Sequence, residues 1–338
     1  MCKLTKNRAA ALLLTLVMAL ALTACGAEKA PDPAPQEPEQ EAVTVRLGGL
    51  KGPTSMGMVK LLEDAENGAT DNEYSFTMGV SANELTPKLL QNELDVLAVP
   101  ANVAAILYNQ TEGAVEVLAA TTLGVLYIVE KGDSVTDLTS LNGRTIYATG
   151  KGATPEYALS YLLSCNGLSL GEDVQVEWKS EPSEIVALLA QEDSAVAMLP
   201  QPFVTVAQSQ VEGLRTALDL NAEWDALDNG SRLVTSVLVA RKAFAQEHPA
   251  ALAKFVEEYA ASTDYANENP AEAAVLVEKY GIVKAAVAEK ALPQCHLVCI
   301  TGAEMKTAVD GYLRTLYDLK PEAVGGTMPD DAFYWTGA

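Results

Sequence analysis

Leu22-Thr23-Ala24-Cys25-Gly26 places a thiol behind two small residues at the end of an apolar run, Ala9 to Leu22, which follows Lys3, Lys6 and Arg8. The chemistry open to that thiol is thioether formation with a lipid, after which the small residues admit a signal peptidase. The tetrapeptide resembles a lipobox. A basic start and an apolar stretch too short for a comfortable membrane-spanning helix of about 20 residues make a signal peptide. Residues 1–24 are therefore expected to be removed, leaving Cys25 as the lipidated first residue on the outer face of the cytoplasmic membrane. A diacylglyceryl group joined by a third acyl chain supplies the anchoring that one chain cannot.

A second set of residues can do non-covalent chemistry. Small, polar and glycine-rich segments follow predicted strands at Gly52-Pro53-Thr54-Ser55-Met56, Pro100-Ala101-Asn102, Thr121-Thr122, Gly150-Lys151-Gly152-Ala153-Thr154 and Pro200-Gln201-Pro202. In doubly wound sheets the ligand crevice lies beyond the carboxyl ends of the strands, where helix N-termini present free N–H groups. Each segment has a plainer reading as well. Thr54 and Ser55 suit a helix cap as much as a ligand, and Lys151 suits a solvated loop as much as an anion.

Other chemistries lack their residues. Gly150-Lys151 falls short of a phosphate-binding loop, because the preceding Gly143 and the following Gly152 break the required spacing. No Gly-x-Ser-x-Gly occurs, and the two histidines, His248 and His296, stand in no triad-like pattern. Cys295-His296-Leu297-Val298-Cys299 offers too few ligands for a structural zinc site, which normally takes four. Cys165, Cys295 and Cys299 make an odd set once Cys25 carries lipid, so packed thiols or a Cys295–Cys299 disulfide both fit. Neither a metal nor a cofactor is expected.

The 338 residues have room for two domains, and 49% hydrophobic with 20% charged residues is a globular composition. Loss of Lys3, Lys6 and Arg8 with the signal leaves 20 basic against 45 acidic residues, a net charge of −25. That excludes nucleic acid as a natural partner and leaves membrane attachment to the lipid. Gly26 to Glu41 is Pro, Glu, Ala and Gln with almost nothing large and apolar, so residues 25–42 are expected to form a disordered tether.

Beyond the tether, strands and helices alternate. Strands are expected at Val43–Leu50, Glu73–Val80 and Asp95–Val99, with helices at Thr54–Asn67, Glu84–Glu93 and Val103–Gln110. Val115 to Val129 reads as a strand crossing into a second lobe, where strands Thr145–Thr149, Val174–Lys179 and Ala195–Leu199 alternate with helices Pro155–Leu163, Pro182–Gln191 and Phe203–Ser209. Ser231 to Arg241 reads as the return crossing. An almost purely helical tail follows, with helices from His248-Pro249, from Pro270 and over Ala303–Leu316, packed on the first lobe. The pattern predicts an α/β protein of two lobes, two doubly wound parallel sheets joined by two crossing strands. Lobe 1 would take residues 43–124 and 235–338, and lobe 2 residues 125–234.

The order and spacing of Gly49 to Met58, Asp95-Val-Leu-Ala-Val-Pro-Ala-Asn102, Asp137-Leu-Thr-Ser-Leu-Asn-Gly-Arg-Thr-Ile146 and Gly325-Gly-Thr-Met-Pro-Asp-Asp331 carry a resemblance over about Val43 to Trp335. The chain resembles the substrate-binding lipoproteins of ABC importers in the nitrate, sulfonate and thiamine-precursor branch, which have a two-lobed type II periplasmic-binding fold. The resemblance implies a monomer that captures a small molecule between its lobes, closes on a hinge and serves an ABC permease and its ATPase. The ligand is either a small organic anion such as a sulfonate, which Thr54, Ser55 and Lys151 favour, or a neutral heterocyclic vitamin precursor. A ligand sensor without transport is the alternative. A pyrimidine-forming enzyme of thiamine synthesis shares the fold family, but its cysteine-rich iron motif and histidine donor have no counterpart here.

Overall fold

The computed structural model describes residues 43–337, so the expected signal peptide, Cys25 and the tether lie outside the described residues. Among the described residues eleven strands form two sheets. In chain order they are β1 (Thr44–Leu50), β2 (Glu73–Gly79), β3 (Val96–Pro100), β4 (Val115–Thr122), β5 (Leu126–Lys131), β6 (Thr145–Ala148), β7 (Gln175–Trp178), β8 (Val196–Pro200), β9 (Leu214–Asp219), β10 (Ser236–Arg241) and β11 (Leu297–Ile300). The larger sheet has the order β11-β4-β10-β3-β1-β2 and the smaller β7-β6-β8-β5-β9.

The two-lobed α/β class is as expected, but the sheets are mixed rather than all parallel. β1 pairs parallel with β2 and β3, while β10 runs antiparallel between β3 and β4. In the smaller sheet β6 is parallel to β7 and β8, and β5 runs antiparallel between β8 and β9. β5 and β10 are the first strands after each passage from one sheet to the other, β5 directly after β4 and β10 after β9 and the short helix Leu220–Asp225. The stretch expected to cross as one strand is broken at Leu123-Gly124-Val125 into β4 and β5, where the Gly124 N–H donates to Asn221 Oδ1 at 3.2 Å.

The tail is less purely helical than its sequence suggests. β11, which contains Cys299, adds antiparallel to the edge of β4. Cys295 and Cys299 are separate free thiols. Cys295 packs its sulfur 3.8 Å from Met56 Sδ, and burial raises the pKa of both thiols, that of Cys299 to about 12.

Proline opens the helices Pro53–Met56, Pro182–Leu189, Pro249–Glu268 and Pro270–Lys279, where its missing N–H costs nothing. The helix expected over Thr54–Asn67 is two pieces, Pro53–Met56 and Val59–Glu66. The cause is Ser262, far away in sequence. Its hydroxyl donates to the Gly57 carbonyl at 2.6 Å and accepts the Leu61 N–H at 2.9 Å, taking both groups of the i to i−4 bond that would have continued the helix. A Cβ at Gly57 would stand 2.9 Å from the Tyr259 hydroxyl, so only glycine allows the approach.

Helix Pro249–Glu268 lays Leu252, Phe255, Val256 and Tyr259 against Leu61, Leu62 and a face of the larger sheet made of Val, Leu and Ala. On the other face, helix Gly302–Leu319 buries Met305, Val309, Leu313 and Leu316. Trp224 is fully buried between Tyr161, at 4.8 Å between ring centroids, and Tyr312, at 5.5 Å, so one apolar cluster is continuous beneath both sheets.

Candidate functional site

The carboxyl ends of β1, β2, β3, β6, β7 and β8 point at a single cavity of about 290 Å³ between the two sheets, with the two crossings as its floor. Among the residues named from the sequence, Pro53, Thr54, Pro100, Thr122, Gly150, Lys151, Gly152, Ala153, Thr154 and Pro200 line it. Gly150 has φ +86°, a left-handed turn that carries the chain from β6 back over the cavity before helix Thr154–Cys165 begins.

The remaining named residues stand behind the wall, each already engaged. Gly52 is buried, and the Ser55 hydroxyl donates to Leu50 O at 2.6 Å. Met56 and Ala101 are packed in the apolar core. Asn102 donates from Nδ2 to Ala323 O at 3.2 Å and to Gly152 O at 3.3 Å, and its Oδ1 accepts from the Thr154 hydroxyl at 3.4 Å. It therefore ties the Gly150–Thr154 loop to the first sheet's side of the cleft. Thr121 shares a 2.8 Å hydrogen bond with Ser236 Oγ. Gln201 accepts from the Thr205 hydroxyl and donates to Gln294 Oε1 at 2.9 Å, and Pro202 is buried beside it.

Several lining residues were not singled out from the sequence. Ser81, Ala82 and Asn83 follow β2, Ser180 and Pro182 follow β7, and Lys51 follows β1. The signal for them was present, since both Ser81 and Ser180 come directly after predicted strands and before predicted helices. Thr235, Val103 and Phe203 had no such signal. Their places depend on how the return crossing and two helices pack.

Three of the cleft loops share one local device. Glu84 accepts from the Val80 N–H at 2.9 Å, Glu156 from the Gly152 N–H at 2.5 Å, and Glu184 from the Ser180 and Glu181 N–H groups at 3.1 and 3.0 Å. A carboxylate four residues into each segment thus fixes the loop and complements the helix N-terminus.

Among the described residues, no carboxylate, histidine or cysteine lines the cavity, and its charged lining residues are Lys51 and Lys151. Both are solvent-exposed at the rim, and neither enters an ion pair among the described residues. In a chain of 23 basic and 45 acidic residues this is a local reversal of charge. Apolar side chains, among them Leu50, Val103, Leu126 and Phe203, make up much of the rest.

Of the eight hydroxyls on the wall, those of Ser81 and Ser180 are exposed and that of Thr149 half-buried, and four others are spent within the protein. Thr54 donates to Leu50 O at 2.8 Å and Thr235 to Leu123 O at 2.6 Å, while Thr154 is held by Asn102 and Ser236 by Thr121. Three buried side-chain oxygens among the described residues have no partner, those of Thr122, Thr263 and Tyr312, and of these residues Thr122 alone lines the cavity. Beneath the floor, the Leu123 N–H donates to His296 O at 3.2 Å, Tyr127 donates to Gln294 O at 3.1 Å, and the His296 ring meets Gly124 O. Among the described residues, no group of three or more His, Cys, Asp or Glu is placed to hold a metal ion, and no helix is long and apolar enough to cross a membrane.

The family model described as NMT1/THI5 like matches residues 83–273, more than half of the chain. Among solved structures, the fold is similar to an ABC transporter protein from Parabacteroides distasonis, at 24% identity over 86% of this chain and 98% of that one, TM-score 0.71. It is also similar to the periplasmic aliphatic sulphonate-binding protein SsuA from Escherichia coli, at 16% identity over 87% and 92% of the two chains, TM-score 0.70. The alkanesulfonate-binding protein SsuA from Xanthomonas axonopodis pv. citri, bound to MOPS, matches at 13% identity over 88% and 99%, TM-score 0.68. Likeness at these identities establishes the fold. No curated protein matches the chain in sequence.

Proposed function

We propose, on the premise that this chain belongs to the NMT1/THI5-like family, that it captures a small organic anion between its lobes and delivers it to an ABC importer. The observation that carries the reading is the cavity of about 290 Å³ whose charged lining residues are two ion-pair-free lysines. Its size sits at the lower end of the range for ligand sites, about 300–1,000 Å³, which favours a small ligand. Lys51 comes from the first sheet's side and Lys151 from the second's, so an anion between them would draw both lobes inward. Hinge closure then follows from differential binding, because the closed form offers the ligand two charges and the open form one.

The lobes of this clamp are taken as 43–124 with 235–338 and 125–234, turning about Leu123–Val125 and the return crossing before β10. Lys51, Ser81, Thr122 and Lys151 are the residues proposed to meet the ligand. Cys25 would moor the protein outside the cytoplasmic membrane, where a permease and its ATPase take the cargo. Binding rather than acid–base catalysis suits a wall whose described residues include no histidine, cysteine or carboxylate. Two of the structural relatives are named as sulfonate-binding proteins, and sulfonates are anions of suitable size.

A thermal-shift screen of the mature protein against small sulfonates, carboxylates and neutral heterocycles tests the reading. An anion at a thousandfold excess over its Kd should stabilise the fold by about 4 kcal/mol. The Lys51→Ala, Lys151→Ala double variant should keep its unliganded melting temperature and bind that anion about tenfold to a hundredfold more weakly. Shifts produced by neutral heterocycles and not by anions would overturn the anion reading.

A further inference from the structure

We infer that Thr122 sets the specificity of the cleft, and that the ligand is an organic anion carrying a second, uncharged polar group such as a hydroxyl or carbonyl at the end that reaches the floor. This rests on the anion reading above and adds to it. Thr122 is 1% exposed, ends β4 at the crossing and lines the cavity, and its hydroxyl has no hydrogen-bond partner among the described residues. Its neighbour Thr121 faces the other way and is satisfied by Ser236 at 2.8 Å. The other hydroxyls close to the floor, on Thr154, Thr235 and Ser236, are taken up by hydrogen bonds within the protein.

Burying a hydroxyl without a partner costs free energy, and a ligand that supplies the partner recovers it. Oγ1 is shut away from solvent, so presenting it to a ligand takes a turn about χ1, which no hydrogen bond among the described residues resists. The floor has no cation among the described residues, whereas Lys51 and Lys151 stand at the exposed rim. A charge therefore stays at the rim and a neutral polar atom goes deep, because an unpaired buried charge costs far more than a hydrogen-bonded neutral group. Simple alkyl anions fill the apolar wall but leave Thr122 as it is.

Two matched pairs of probes test this by isothermal titration on the mature chain: ethanesulfonate against 2-hydroxyethanesulfonate, and butanoate against 4-hydroxybutanoate. The native protein should bind the hydroxylated member of at least one pair about tenfold to a hundredfold more tightly, the range expected for one buried hydrogen bond. Thr122→Val should abolish that preference, Thr122→Ser should keep it, and the alkyl member should bind Thr122→Val no worse than the native protein. Equal binding within both pairs, or a preference that survives in Thr122→Val, would overturn the role of Thr122 and leave the anion reading standing. If none of the four probes binds, the anion reading falls and this inference with it.

Discussion

The two ends of the sheets treat charge in opposite ways. At the ends away from the cleft, carboxylates are buried and saturated. Asp95, 1% exposed, accepts from the Arg46 backbone N–H at 3.0 Å, from Arg46 Nε at 2.8 Å and Nη2 at 2.6 Å, and from Arg241 Nη2 at 2.6 Å. It joins β1 to β10, an early strand to a late one. Glu130 does the same in the smaller sheet, accepting from Ser134 Oγ at 2.6 Å, the Val135 N–H at 2.8 Å and Arg215 Nη2 at 2.5 Å. Burial alone would raise both carboxyls, but their donors outweigh it and hold both below the usual range. At the cleft ends, by contrast, two lysines have no ion-pair partner and one buried hydroxyl has no partner among the described residues. Saturated groups can contribute only to stability, and unsaturated ones retain affinity for something else.

The largest way to break this comparison is Asp95→Ala. It leaves Arg46 and Arg241, the latter only 14% exposed, without their anion, and should cost about 3–5 kcal/mol in denaturant unfolding. The folded fraction should keep its ligand affinity, the reverse of the lysine double variant. A loss of affinity without loss of stability would show that the two ends are not separable.

Acid is a graded version of the same test. Asp95 and Glu130 have folded pKa values below their unfolded ones, so they contribute stability above the unfolded values of about 3.9 and 4.3. That contribution is lost as pH falls through the lower folded values. Melting temperature should therefore drop steeply below about pH 4, and less steeply in Asp95→Ala. Between about pH 7 and 5, affinity for a sulfonate should stay flat, because no carboxylate or histidine among the described residues lines the wall.

The smallest effect contrasts adjacent residues. Thr121→Val deprives buried Ser236 of its partner and should cost about 1 kcal/mol by thermal unfolding. Thr122→Val breaks no bond to the described protein and should leave unliganded stability unchanged or slightly higher. Equal losses for both would mean that the Thr122 hydroxyl is bonded within the protein like that of its neighbour.

Much of the fold was legible because its causes are local. Strands buried on both faces read as short β-branched runs, helices opened with proline, and the alternation of the two named an α/β protein of two lobes. The strand-to-helix loops could also be found, since the rule that selected Gly150–Thr154 applies equally to Ser81 and Ser180. Three things needed the tertiary structure. The reversal of β5 and β10 depends on which strands flank them. The break at Gly57 depends on a hydroxyl brought from Ser262. Whether Thr121 or Thr122 is left free depends on Ser236, 115 residues away from Thr121. Period and propensity act over a few residues and are written in the chain. The partner of a polar group is whatever folding places within about 3 Å of it, and no stretch of sequence carries that information alone.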